Sequence, residues 1–327
     1  MTRWGILVAE PTGFSVRAAE LLGAVGTVWL ADLDRLDLLR RVRDANVLWV
    51  RLRHRIDREV MDAAPALRVI ATPTTGLNHI DLCEAARRGV EVVSLRGESD
   101  FLKDVHATAE HTLALMLALL RHLPAAVAHV QQGCWNRDLF RGSELYGRTV
   151  GVVGYGRLGS MVARYLVALG ARVLASDPNV DAADAEAGVS LVPLSQLLAE
   201  ADLISLHVSL SDATRRFFGR EQFLQMRAGS RFVNTARGEL VDETALLEAL
   251  ETGHLGGAAL DVLADEDSGG MANNPLVAYA QRHPNLIITP HIGGCTFESM
   301  EKTEVFLARK LCAVLSSLRD TQPLAGT

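Results

Sequence analysis

The sequence predicts an α/β protein of two domains, each a parallel sheet with helices on both faces. Three observations carry that expectation. A length of 327 residues suits two cores of ordinary size. Short β-branched runs alternate with helical patterns from the start of the chain. The same alternation restarts after Gly147, behind a long stretch rich in Ala, Leu and Met.

In the first part, residues 6–9, 25–30, 47–51, 69–71 and 90–95 read as strands. Residues 16–22, 36–42, 59–63 and 80–88 carry apolar side chains three and four apart and read as helices, so an open sheet covered on both faces is expected. Residues 107–123 contain neither glycine nor proline, Pro124 coming next, which predicts one long buried helix bridging the domains. Residues 131–146 mix Trp135, Arg137, Phe140 and Arg141 irregularly and read either as an arm packed on another subunit or as a surface loop with one tucked tryptophan. Strands are then expected over 149–153, 172–175, 190–192, 203–208, 230–234, 258–262 and 286–289. A last helix over 298–318 needs a surface to pack on and is expected to return to the first domain.

Composition excludes several function classes. With 49% hydrophobic and 22% charged residues and ten prolines, the chain is neither disordered nor fibrous. A formal charge of -6 and the absence of a long basic block argue against nucleic acid as a partner. Cys83, Cys134, Cys295 and Cys312 show no CxxC or Cys/His spacing, so neither a disulfide framework nor a zinc site is expected, and a reducing compartment fits. The N-terminus lacks the order of a secretion signal, and the apolar stretch 113–120 falls short of the roughly 20 residues that cross a bilayer. The expectation is a cytoplasmic protein without a membrane span.

The most informative stretch is Thr149-Val-Gly-Val-Val153, then Gly154-Tyr155-Gly156-Arg157-Leu158-Gly159, a helical run, and Arg172-Val-Leu-Ala-Ser176-Asp177. Strand, glycine turn, helix, strand and acid arrive in the order of a dinucleotide-binding βαβ unit. Gly154 permits the tight turn, Gly156 lets backbone approach a pyrophosphate, and Gly159 lets helix press on strand, while the helix N-terminus supplies amide donors. Asp177 lies at the separation where a carboxylate accepts from ribose hydroxyls and repels a 2′-phosphate, which predicts NAD over NADP. The fold expectation thereby becomes two Rossmann-like or flavodoxin-like domains. Residues 107–289 would form the NAD-binding domain, inserted into a substrate-binding domain made of 1–106 and 290–327.

Three further stretches complete a pattern: Asn234-Thr235-Ala236-Arg237-Gly-Glu-Leu-Val-Asp242, Ala258-Ala-Leu-Asp261-Val-Leu-Ala-Asp-Glu266, and Thr289-Pro-His291-Ile-Gly293-Gly294. In order and spacing the chain resembles, over essentially its whole length, the D-isomer-specific 2-hydroxyacid dehydrogenases, the family of phosphoglycerate dehydrogenase and glyoxylate reductase. Reducing a 2-keto acid requires a cation to hold the carboxylate and polarise the carbonyl, and an acid to protonate the developing alkoxide. Arg237 and His291 suit those tasks, since arginine stays charged in a fixed fork and histidine exchanges a proton near neutral pH. The resemblance implies that Glu266 hydrogen-bonds and orients His291, and that Asp261 contacts the nicotinamide carboxamide side. It also places His207, Thr235, Ala236 and Gly293 at the cofactor. Singly, Arg237, Glu266 and His291 could be a surface ion-pair residue, part of an acidic turn and a strand cap; together they lie at the ends of successive expected strands, where open α/β sheets bind ligands.

The pattern is broken in two places. The family commonly has proline after Glu266, where this chain has Asp267-Ser-Gly-Gly-Met271, so Asp265 or Asp267 could take the place of Glu266. The family's His-x-Pro becomes His207-Val208-Ser209. In the first domain, Thr74-Thr75-Gly76-Leu77-Asn78 joins a strand to a helix, where successive amides can form an anion nest. Thr75, Gly76 and Leu77 are candidates to bind a substrate carboxylate, the alternative being an ordinary turn. Arg51, Arg53, Arg96 and Lys103 make a basic neighbourhood, and if they face the cleft the substrate carries a second anionic group. The expected function is an NAD-dependent oxidoreductase acting on a small 2-hydroxy or 2-keto acid, as a homodimer. The alternatives are a dehydrogenase acting on a phosphonate or other phosphorus-containing anion and a non-catalytic, NAD-sensing, corepressor-like protein.

Overall fold

The computed structural model describes residues 3–264, 266 and 271–321. The chain divides into two compact units, Met1–Val105 with Thr296–Thr327, and His106–Cys295.

The first unit is built on β1 (Trp4–Val8), β2 (Gly26–Leu30), β3 (Val47–Trp49), β4 (Val69–Ala71) and β5 (Glu91–Val93), all parallel in the order β2-β1-β3-β4-β5. The helices between and after them are α1 (Val16–Val25), α2 (Arg35–Arg41), α3 (Arg58–Ala63), α4 (Leu82–Arg88) and α5 (Ser99–Leu102). Alternate residues fill two cores, with Trp4, Ile6, Val8, Val47 and Trp49 on one face and Leu7, Leu48, Val50 and Ile70 on the other. This follows from the two-residue period of a strand once helices cover both faces. Ser15, Asp34, Asp57 and Asp81 start four of the helices by accepting the amides of Ala18, Asp37, Val60 and Glu84, each cap contributing about 1 kcal/mol. The C-terminal helix α13 (Phe297–Thr321) packs on α1 and buries Leu307, Ala308, Leu311 and Leu315 against this unit's core.

The second unit opens with α6 (Ala107–Leu120) and α7 (Leu123–Gln131). The single helix expected over 107–123 is two: Arg121 ends the first, His122 turns left-handed at φ 53°, and Pro124 sits in the first turn of the second. Proline is tolerated at a helix start because its missing N–H would have had no partner there. The tucked tryptophan is also corrected, since Trp135 is 88% exposed beyond the end of α7.

The βα alternation then runs β6 (Thr149–Val153), α8 (Arg157–Ala168), β7 (Arg172–Ser176), β8 (Val189–Leu191), α9 (Leu194–Glu200), β9 (Leu203–Leu206), α10 (Arg220–Gln225), β10 (Arg231–Asn234), α11 (Glu243–Glu251), β11 (Gly257–Leu260), α12 (Pro275–Ala280) and β12 (Leu286–Ile288). The parallel sheet has the order β12-β11-β10-β9-β6-β7-β8. The strand order reverses between β6 and β9, so a crevice outside their carboxyl ends is the place for a ligand. α6 lies against α8, β10, β11 and β12. Among the described residues no single helix is long and apolar enough to cross a membrane.

Candidate functional site

The glycine turn sits at the reversal point of the second unit's sheet, between the ends of β6 and β9. Gly154 has φ 89°, and a Cβ there would lie 2.7 Å from the carbonyl of His207 and 2.9 Å from the amide of Val208. Left-handed backbone and close approach to a neighbouring main chain both demand glycine. A Cβ on Gly159 would lie 1.9 Å from the Gly154 carbonyl oxygen, so α8 is seated directly on the turn. Gly156, by contrast, faces open space. A cradle with a bare backbone at its mouth and a 12-residue helix behind it fits a dinucleotide pyrophosphate.

The other expected cofactor residues line the same edge. Tyr155 is buried, and its amide donates to Asp177 Oδ2 at 2.9 Å, while Asp177 Oδ1 accepts from Asn179 N at 2.9 Å. The acid thus closes the βαβ unit on itself. Arg157 is the first residue of α8, and burial lowers its pKa; Leu158 is half-buried against the α6 side of the sheet. His207 Nε2 pairs with Ser205 Oγ at 2.8 Å, and burial pushes its imidazole down to about 4, so the ring is neutral near pH 7.

Arg237, Asp261 with Glu266, and His291 follow the ends of three neighbouring strands, β10, β11 and β12. The Asn234 side chain ties the first of these turns, accepting from Ala236 N at 3.0 Å and donating to the Arg237 carbonyl at 2.8 Å. Arg237 is half-buried and donates from Nη1 to the Ala236 carbonyl at 2.6 Å. Thr235 is buried and turned toward α6, where its hydroxyl meets Thr112 Oγ1 at 2.7 Å. Gly238 allows the next turn to touch, since a Cβ there would lie 2.0 Å from the Leu263 carbonyl carbon and 2.2 Å from Ala264 N. Glu243, at the start of α11, clamps the same loop by accepting from Ala264 N at 2.6 Å and from Asn274 Nδ2 at 3.1 Å.

That loop delivers Glu266, whose Oε1 is hydrogen-bonded to His291 Nδ1 and whose Oε2 accepts from Leu263 N at 3.3 Å. The side chains of His291 and Glu266 are 21% and 25% exposed, sheltered yet reachable from solvent. Asp265 and Asp267, the sequence-level substitutes for Glu266, lie outside the described residues. His291 has φ 52°, a left-handed conformation that costs a non-glycine residue about 1 kcal/mol or more and persists only where its surroundings enforce it.

Asp261 is only 1% exposed, and its acceptor positions are taken by this chain rather than presented outward. Thr289 Oγ1 donates to it at 2.6 Å, and Ile292 N and Gly293 N donate at 2.9 and 2.8 Å. Burial alone would raise its pKa, but these bonds and one from His111 outweigh burial and hold it below the usual carboxylate value. Gly293 is needed for the approach, since a Cβ would come within 2.9 Å of Asp261 Oδ2.

In the first unit, Thr74 Oγ1 donates to the Gly76 carbonyl at 2.8 Å, Thr75 is exposed, and the Leu77 side chain belongs to the core, leaving only its backbone to any ligand. The basic neighbourhood is largely matched internally. Arg51 pairs with Glu304, itself 1% exposed, and donates from Nη1 to the Thr12 carbonyl at 2.8 Å. Arg53 pairs with Asp32 at 2.5 Å and Lys103 with Asp100 at 2.7 Å, while Arg96 is exposed. Glu10 and Glu304, the acids that hold this region, were not singled out from sequence; the one available signal is an acid following directly on the apolar run of β1. Glu243 and Thr112 were likewise missed, because Ala264, Asn274 and Thr235, their partners, are distant in the chain, whereas Asn234 drew no role from sequence although its partners are two and three residues away.

Residues 113–293 match the family model described as D-isomer specific 2-hydroxyacid dehydrogenase, NAD binding domain. The chain is 39% identical over 312 residues to D-3-phosphoglycerate dehydrogenase of Mycobacterium tuberculosis, a match covering 95% of this chain and 57% of that enzyme. It thus spans little more than half the length of that relative. It is 37% identical over 290 residues to glyoxylate reductase of Pyrococcus furiosus, covering 86% of this chain and 83% of the relative. Among solved structures it resembles a protein from Thermus thermophilus, with 37% identity, a TM-score of 0.80 and coverage of 96% of this chain and 97% of that one. It also resembles D-lactate dehydrogenase from Aquifex aeolicus, crystallised with NAD and lactic acid, with 28% identity, a TM-score of 0.82 and coverage of 97% of each chain.

Proposed function

The chain belongs to the D-isomer-specific 2-hydroxyacid dehydrogenase family, and on that premise we propose that it exchanges a hydride between NAD and the functional carbon of a small anionic 2-hydroxy or 2-keto acid. The observation that carries the reading is the His291–Glu266 hydrogen bond. It lies at the carboxyl edge of the sheet that also bears the glycine turn, and Arg237 follows the end of a neighbouring strand.

NAD, when bound, supplies or accepts the hydride. The turn from Gly154 to Gly159 holds its pyrophosphate, and Asp177 holds the adenosine ribose. A carboxylate has about four acceptor positions, so the backbone amides of Tyr155 and Asn179 and the Asn179 side-chain amide already on Asp177 leave room for a ribose hydroxyl. Arg237 anchors the substrate carboxylate and polarises the carbonyl. With Glu266 accepting at Nδ1, Nε2 is the nitrogen of His291 that protonates the developing alkoxide in reduction and takes the proton back in oxidation. Arg51 is engaged by buried Glu304, so it is not the residue that would bind a second anionic group on the substrate. A homodimer is part of the reading, supported by the exposed apolar side chains of Val127 and Val130 on α7 and of Trp135 and Leu139 beyond it.

NADH oxidation measured across a panel of small 2-keto acids tests the proposal. At least one should turn over, and His291→Asn should lower kcat at least about 100-fold while leaving NADH affinity within a factor of about three. A silent panel, or an Asn variant as fast as the parent, overturns it. Sedimentation equilibrium at micromolar concentration tests the dimer, and a monomer there removes that part alone.

A further inference from the structure

His291 is held in its left-handed conformation by a turn wrapped around one carboxylate. Its own amide donates to the carbonyls of Asp261 and Thr289 at 2.8 and 3.0 Å. The next two amides, of Ile292 and Gly293, donate to Asp261 Oδ1 and Oδ2. The position of His291 therefore depends on what holds the Asp261 side chain from behind. Two groups do so: Thr289 Oγ1, and Nε2 of His111 on α6, which lies 3.1 Å from Asp261 Oδ1 and 3.1 Å from Thr289 Oγ1.

The proton positions follow from counting hydrogens. Asp261 is ionised and has none, and the single hydroxyl hydrogen of Thr289 is donated to Asp261. His111 Nε2 must then carry a hydrogen and donate to both oxygens. The adjacent residue repeats the device on the neighbouring strand. Thr112 gives its hydroxyl hydrogen to the Thr108 carbonyl at 2.7 Å, so it accepts from Thr235, two residues before Arg237. Successive residues of one helix thus brace the two strand ends that present the anchor and the acid/base.

We propose that His111 is the positioning residue for His291, acting through the Asp261–Thr289 pair as an obligatory Nε2–H donor, with Thr112 the equivalent brace for the Arg237 turn. This rests on the reading of His291 as acid/base. Hydrogen exchange tests the brace without reference to activity, so failure of one is distinguishable from failure of the other.

In the full chain, His111→Phe should speed exchange of the Ile292 and Gly293 amides at least tenfold relative to those of β6. It should lower kcat at least tenfold, with KM for NADH within a factor of about three. His111→Gln, which restores an N–H at a similar reach, should return both readouts to within about threefold of the parent. Thr289→Val removes the shared oxygen at constant shape and should reproduce the Phe variant, and it serves as the test if His111→Phe does not fold. Unchanged exchange in His111→Phe or in Thr289→Val overturns the proposal, as does a Gln variant as impaired as the Phe variant. If the parent turns over no 2-keto acid, the activity reading falls and the exchange rates still decide the brace.

Discussion

Replacing Gly238 with alanine places a methyl group where the Arg237 turn touches the loop that carries Glu266. The added Cβ would lie 2.0 Å from Leu263 C, 2.2 Å from Ala264 N and 2.3 Å from Leu263 O, whereas real Cβ atoms essentially never come within 3.0 Å of such neighbours. All three are main-chain atoms, so no rotamer change relieves the clash, and the two segments must part by roughly 1 Å. Overpacking of this kind costs about 1–3 kcal/mol, which lowers the melting temperature of a unit this size by several degrees, at about 2–4 °C per kcal/mol. The larger consequence is geometric. If Arg237 and the Glu266–His291 pair have the proposed roles, a misplacement of about 1 Å between them costs on the order of 100-fold in turnover. The assay is kcat/KM for NADH-dependent reduction of an accepted 2-keto acid, alongside thermal melting and NADH affinity. Gly23→Ala is the control: that glycine lies in α1 with nothing within 4 Å of an added Cβ, so alanine there should be neutral or stabilise by about 0.5–1 kcal/mol. A Gly238→Ala protein that melts within about 2 °C of the parent and retains kcat/KM within about threefold would refute the claim that this contact sets the spacing.

Three other outcomes follow from single side chains. His207 has its pKa depressed from 6.5 to about 4 in the fold, so protons favour the unfolded chain, and the stability present above pH 6.5 is lost as the pH falls toward 4. About 2 kcal/mol should disappear between pH 7 and pH 5, and urea midpoints of His207→Gln should lack that component; an equal loss in parent and variant contradicts the assignment. Arg51→Ala strips the guanidinium from Glu304, 1% exposed, and should cost about 3 kcal/mol by denaturant titration while sparing NADH affinity. A loss under about 1 kcal/mol would mean the pair does not hold the first unit together. Asp177→Ala should weaken NADH at least tenfold and narrow the discrimination against NADPH, and a parent enzyme that prefers NADPH in steady-state kinetics would defeat the reading of that acid.

Much of the site was legible because its chemistry is written in contiguous residues. Gly154 turns left-handed and Gly159 meets the Gly154 carbonyl, both within the turn itself, and the acid at Asp177 follows at the end of the next strand. Short apolar runs marked every strand of both sheets, although several proved shorter than expected; the run through Val208 stops at Leu206, where the chain leaves β9 toward the reversal point. The split between α6 and α7 was hidden because a left-handed residue other than glycine, His122, leaves no mark in composition. Arg51 was grouped with a basic neighbourhood because Glu304, its partner, lies 253 positions away.

The amino-acid order by itself determined the alternation of strands and helices, the place of the glycine turn and which arginine and histidine are the candidates to anchor a carboxylate and carry a proton. These depend on short-range sterics and on side-chain chemistry that each residue brings with it. Only the tertiary structure decided that Asp261 faces inward, that Glu266 Oε1 meets the Nδ1 side of His291 and that His111 stands behind both strand ends. Those relations join segments far apart along the chain, and hydrogen bonds have direction and a reach of about 3 Å, which spacing along a sequence does not encode.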